Sequence, residues 1–109
     1  AALPDSETEE WVKRNDVHGC YQNELTVRSF DLLRTYEPIA FVDKIAPTPL
    51  LMIVATNDQQ TPTAWQLEAF EQVGQPKRLL KIDCRHYDVY MDKLNDAAAA
   101  ALTWYQGHL

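Results

Sequence analysis

The run Leu50-Leu51-Met52-Ile53-Val54-Ala55 is apolar at every position. A strand with one face in water alternates apolar and polar residues, so this run predicts an inner strand of a parallel sheet, covered by helices on both faces. Pro49 at its entrance is tolerated, because the first residue of a strand need not donate to the ladder. Asn57 and Asp58 follow directly. A second predicted strand over 78–83 contains Leu79-Leu80-Lys81-Ile82 and leads to Cys84 and His86. The helical pattern between the two makes a strand–helix–strand unit, which requires a parallel crossover. Open α/β sheets hold their sites at the carboxyl ends of their strands. Neighbouring strands lie about 4.8 Å apart, so Asp58 and His86 are predicted to come within hydrogen-bonding reach.

The rest of the chain is read around that unit. A short helix is predicted over 7–14, turns at Asn15-Asp16 and His18-Gly19, and a helix over 25–36 whose apolar face carries Val27, Phe30, Leu32, Leu33 and Tyr36. Glu37-Pro38 interrupts it, and a further helix is predicted over 39–44. The crossover helix has two capping options: Thr61 with Pro62 at the first helical position, or Thr63 with Gln66 as a capping box. Ala64, Leu67, Ala69, Phe70 and Val73 would form its buried face, and Gly74 would end it in the left-handed conformation. The last helix is predicted from Tyr90 or Asp92 to Gln106, with Leu94, Ala97, Ala98, Ala101, Leu102 and Tyr105 as its packing face. The organisation expected is a mostly helical cap-side and linker segment, 1–46, and a β-α-β-α segment, 47–109.

At 109 residues the chain is at most one small domain. Two strands do not make a stable sheet. A run as apolar as Leu50–Ala55 beside a single neighbour implies strands supplied from elsewhere: an N-terminal portion of the same protein, or a partner chain. A strand hidden within 1–24 is the alternative. Ten basic side chains against sixteen acidic ones give a formal charge of −6 with no basic block, which argues against nucleic acid as a partner. The longest apolar stretch is too short to span a bilayer, so no membrane partner is expected. The N-terminus, Ala1-Ala2-Leu3-Pro4-Asp5, lacks both Met and the pattern of a signal peptide, as a processed or incomplete chain would. Cys20 and Cys84 match no metal-ligand spacing. They are expected to be free thiols in a reducing compartment, and the chain cytoplasmic. No metal and no cofactor are expected.

A carboxylate that accepts from a histidine Nδ1–H fixes the tautomer and stabilises the imidazolium formed when Nε2 takes a proton. Asp58 and His86 fit those roles; taken singly, Asp58 also reads as a turn residue and His86 as a surface or packing histidine. Cys84 points near the same place and reads as a small buried residue at a strand end. His18 and His108 carry no assignment, and Trp11, Trp65 and Trp104 read as packing residues, Trp11 also as a cap residue over a pocket.

The stretch from Pro49 to Pro62, with Asp58 four residues before Pro62, resembles the acid-bearing strand and turn of the α/β-hydrolase superfamily. Cys84-Arg85-His86-Tyr87-Asp88-Val89-Tyr90 resembles the loop that carries that family's histidine ahead of its final helix. Asn23-Glu24-Leu25-Thr26-Val27-Arg28-Ser29 with Tyr36-Glu37-Pro38 is similar to what precedes this strand in dienelactone-hydrolase-like members. The resemblance covers residues 22–109. Arg85 and Ala55-Thr56 stand where many members have glycine. It implies the C-terminal part of an α/β hydrolase with Asp58 as triad acid and His86 as base, acting on an ester, lactone or other acyl bond of a small-molecule substrate. The family's G-x-S-x-G nucleophile elbow lies upstream of the acid, and residues 1–57 contain no such motif. The nucleophile would come from outside this chain, and the chain alone would be inactive. A non-catalytic module that docks through its strand edge is the competing reading. A third keeps the fold but changes the reaction to that of an acyl transferase or dehalogenase.

Overall fold

A computed structural model of the chain describes residues 2–109 and divides it into two compact units, Ala1–Glu37 and Pro38–Leu109. The first holds α1 (Ser6–Asn15) and α2 (Val27–Arg34). Asp5 caps α1 with both carboxylate oxygens, Oδ1 accepting from the Thr8 N–H at 2.8 Å and Oδ2 from its hydroxyl at 2.7 Å. That pairing lets Thr8 be buried. Thr26 caps α2 by accepting from the Ser29 N–H. Along α2 and just beyond it, Val27, Phe30, Leu32, Leu33 and Tyr36 are all exposed.

The second unit is a parallel β-α-β-α arrangement. β1 (Leu50–Ala55) leads through α3 (Thr63–Gln72) to β2 (Lys77–Ile82), and α4 (Leu94–His108) closes the chain. The strands pair in parallel from Leu50↔Lys77 to Ala55↔Ile82. Ile53 and Ala55 share one face with their register partners Leu80 and Ile82, because strand side chains alternate. On that face Ala55, Ile82 and Cys84 pack with Ala97 of α4, flanked by Val89. Val54 points to the other face and is completely buried, as is nearly all of Val73 at the end of α3. Within β2 itself, Lys77 folds back to donate to the Phe70 carbonyl and lies over the Phe70 ring.

Among the described residues the sheet has two strands, and the alternative of a strand within 1–24 is not seen there. Several expectations are corrected. Residues 39–44 form a 3₁₀ segment, Pro38–Lys44, rather than an α-helix. β2 starts and ends one residue earlier than expected, because Asp83 leaves the strand to accept hydrogen bonds from Thr56 and Asn57. Neither capping option of α3 is used: its N-cap is Pro62, and no side chain caps it. The Thr63 hydroxyl instead donates to the Ala55 carbonyl at 2.7 Å, tying the helix start to the end of β1. Gly74 is not left-handed. α3 ends at Val73 in extended backbone, and a Cβ on Gly74 would lie 2.8 Å from that of Ala46, so glycine there serves close approach.

The final helix also begins later than expected, after a separate 3₁₀ turn, Tyr87–Tyr90. Asp88 breaks the helix: Arg85 grips its carboxylate through the backbone N–H, Nε and Nη2, while the Met91 and Lys93 N–H groups converge on its carbonyl. Gly107 lies inside α4 rather than beyond it. Only Ala97 of the predicted packing face is buried; Leu94, Leu102 and Tyr105 are exposed, as are Ala64 and Trp65 on α3. A two-stranded sheet is too narrow to cover a fifteen-residue helix. An open apolar groove remains between the start of β1 (Pro49, Leu50, Leu51, Ile53) and the end of α4 (Ala101, Trp104, Tyr105). Among the described residues no helix is long and apolar enough to cross a membrane.

Candidate functional site

The two strands stop in register, and their following loops are stitched together. The Thr56 N–H donates to the Ile82 carbonyl and the Asn57 N–H to the Cys84 carbonyl, extending the ladder two steps past the sheet. The carboxylate of Asp83 then accepts from the Thr56 hydroxyl at 3.1 Å and the Asn57 amide at 2.7 Å. Asp58 and His86 are the first residues beyond this stitch that bear on one another.

His86 Nδ1 lies 2.9 Å from Asp58 Oδ2. The Asp58 side chain is 5% exposed and that of His86 23% exposed, so the acid is buried behind a base that still reaches solvent. Asp58 has further partners. Its Oδ1 accepts from the Gln60 N–H at 2.9 Å and the Thr61 N–H at 2.8 Å, the short-range pattern of an Asx turn. Its Oδ2 also accepts from the Thr61 hydroxyl at 2.8 Å and the Gln66 amide at 3.1 Å. Gln66 is fixed in turn by donating to the Thr61 carbonyl at 2.6 Å.

Burial pushes the Asp58 carboxyl up. The hydrogen bond from His86, the N–H and hydroxyl of Thr61 and the charge of His86 pull it down and prevail, so it ionises below the usual carboxylate range. Because the folded pKa is depressed, the stability Asp58 contributes is complete above its unfolded pKa, about 3.9. It is lost as pH falls through the lower folded value. The side-chain carboxyl ¹³C resonance of Asp58 is therefore expected to titrate below the ordinary aspartate midpoint. A midpoint at or above the ordinary value would contradict this network.

The His86 ring is held on its other sides by aromatic edges, Tyr87 at 4.7 Å and Tyr90 at 6.2 Å between centroids. With Nδ1 committed to Asp58, Nε2 is the nitrogen left to exchange a proton with a reacting group. The Arg85 guanidinium pairs with the Asp88 carboxylate at 3.1 Å. Cys84 is a buried free thiol, pushed up first by burial and then by the Asp88 carboxylate, so it remains protonated and serves as packing. No cluster of three or more His, Cys, Asp or Glu side chains with metal-binding geometry occurs among the described residues. His108 lies near the end of α4 and stacks on Trp104, with ring centroids 3.8 Å apart.

Asp58 and His86 are thus brought together, while Thr61 and Gln66 were missed as partners of the acid. The signal for both is present in the sequence, but their place at a helix start equally suits capping.

The chain is similar to the crystal structure of the α/β hydrolase GrgF from Penicillium sp. sh18, with a TM-score of 0.82 and 23% identity; the match covers 94% of this chain and 35% of that one. The fold is that of the C-terminal part of an α/β hydrolase. In sequence, it is 38% identical over 58 residues to a polyketide transferase of Gibberella fujikuroi, 53% of this chain but 18% of that protein. No family model matches. The chain therefore spans about a third of the structure and under a fifth of the relative it matches.

Proposed function

We propose that this chain supplies the acid and the base of a serine-type catalytic triad, Asp58 and His86, to an α/β hydrolase that cleaves ester, lactone or other acyl bonds. The observation that carries the proposal is the 2.9 Å Nδ1–Oδ2 bond between a buried carboxylate and a partly exposed imidazole at the carboxyl ends of two parallel strands. The nucleophile belongs to an N-terminal portion of the same protein, which also extends the sheet along the free edge of β1; a second copy of the chain is the alternative source of that strand, though not of the nucleophile. His86 Nε2 takes the nucleophile's proton as its oxygen attacks the acyl carbon. It then returns that proton to the leaving group, and repeats the cycle with water. Asp58 holds the Nδ1–H tautomer and stays anionic throughout.

The polyketide transferase relative supports a second reading of the same pair, in which the acyl group passes to an acceptor hydroxyl or amine rather than to water. The site residues would keep their roles. Two free thiols fit a cytoplasmic location for either activity.

The test is reconstitution. The chain alone is expected to leave p-nitrophenyl esters intact, and the chain rejoined to its N-terminal portion (the completed protein) to cleave them. Activity of the chain alone would contradict an external nucleophile. A completed protein that neither hydrolyses nor transfers any acyl group would leave the non-catalytic docking module as the better description.

A further inference from the structure

Thr61 is bound to the acid–base pair more fully than any other residue outside it. Its backbone N–H donates to Asp58 Oδ1 and its hydroxyl to Asp58 Oδ2, both at 2.8 Å, so one residue holds both oxygens and fixes the plane of the carboxylate. The same hydroxyl oxygen lies 3.3 Å from His86 Nδ1. A hydroxyl has one proton. With that proton spent on Asp58, the oxygen can face Nδ1 only as an acceptor, which admits the ring with its proton on Nδ1 and opposes the other tautomer. Were Asp58 to lose that proton, the hydroxyl could turn and donate to a bare Nδ1, favouring the unproductive form.

We propose that Thr61 is a positioning residue of the site: its hydroxyl locks the Asp58 carboxylate in plane and holds His86 in the Nδ1–H tautomer, keeping Nε2 free as the base. The inference rests on the reading of Asp58 and His86 as acid and base. Gln66 reaches Asp58 Oδ2 but no atom of His86 with which it is seen to bond, so it secures the acid without selecting the tautomer. The roles of Thr61 and Gln66 are therefore separable.

The experiment compares Thr61→Val, which keeps the backbone N–H and the side-chain volume but removes the hydroxyl, with Thr61→Ser, which keeps the hydroxyl. Thr61→Ala deletes the same hydroxyl with less bulk and is read in the same way. All are made in the completed protein and checked for native amide spectra. The imidazole ¹⁵N shifts of His86 report the tautomer directly and do not depend on turnover. Expected for Thr61→Val are a measurable population of the other tautomer, an Asp58 carboxyl that titrates higher than in the parent protein, and kcat lower by about tenfold to a hundredfold with KM little changed. Thr61→Ser is expected to restore all three to within about twofold of the parent kcat, and Gln66→Leu to leave the tautomer unmoved. Unchanged ¹⁵N shifts and unchanged kcat in Thr61→Val would overturn the proposal. So would a Thr61→Ser variant as impaired as Thr61→Val. If His86→Ala retained full activity, the reading of the pair would fail, and the tautomer populations would still decide what the hydroxyl does to the ring.

Discussion

Replacing His86 with alanine in the completed protein is expected to lower kcat for an activated ester by about 10⁴-fold or more, with KM nearly unchanged. The size follows from the arrangement of the pair. Among the described partners of the buried carboxylate, the imidazole is the one with a second ring nitrogen that can serve as a base, since Thr61, Gln66 and the backbone N–H groups act only as donors toward it. On the proposed reading, removing the ring leaves the nucleophile without the base that Asp58 orients. Asp58→Asn is expected to cost about 10⁴-fold for a different reason. An amide that turns its NH₂ toward the ring would donate to Nδ1 and place the ring proton on Nε2, so the base arrives already protonated on the reacting side. The two losses are not additive, because both disable one proton path. The double variant is expected to be no slower than His86→Ala alone. Steady-state kinetics on the three variants, with folding verified by near-UV circular dichroism, measure this; a His86→Ala variant with kcat near that of the parent would remove His86 from the chemistry.

Much of this site was legible in the sequence, and the parts that were not share a cause. Leu50–Ala55 could be read as a strand because an unbroken apolar run of six between Pro49 and a polar turn has few other solutions. Asp58 and His86 could be placed together because both immediately follow strands that must be neighbours. What a local pattern does not reveal is which of two partners a side chain takes. Thr61, Thr63 and Gln66 sit where a helix begins and are chemically suited to cap it, yet the first and last bond Asp58 and the second the Ala55 carbonyl. Those acceptors are buried or lie at a strand end, where an unpaired oxygen costs more than a helix N-terminus left to water. Gly74 is a similar case. A glycine after a helix signals either a positive φ or a need for space, and only the approach of Ala46, distant in sequence, selects the second. The periodicity of α4 identifies the face that can be buried. It does not say whether the surface that buries it lies in the same chain, so the exposure of Leu94, Leu102 and Tyr105 is not legible in the pattern.

That exposed face leads to the second large effect, expected in amide exchange along β1. The Leu50 N–H donates to the Pro76 carbonyl and the Thr56 N–H to the Ile82 carbonyl. In a parallel ladder, alternate residues of a strand bond the same neighbour. Met52 and Val54 therefore direct their N–H groups toward β2, whereas those of Leu51 and Ile53 point to the opposite edge, where no strand lies among the described residues. In the dilute chain alone, the Leu51 and Ile53 amides are expected to exchange at close to the rate of an open backbone, and those of Met52 and Val54 more slowly. In the completed protein all four are expected to exchange at least about 10³-fold slower than an open backbone, because opening the strand then requires unfolding the sheet. The pattern separates the sources of the missing strand. Protection of Leu51 and Ile53 that rises with the concentration of the chain alone identifies a second copy as the partner. Protection that appears only when the N-terminal portion is added identifies an intramolecular neighbour. Leu51 and Ile53 as slow as Met52 and Val54 in the dilute monomer would mean that the edge is already closed. The sheet would then need nothing from outside, and the case for an N-terminal portion or a second copy docking on this edge would lose its structural basis.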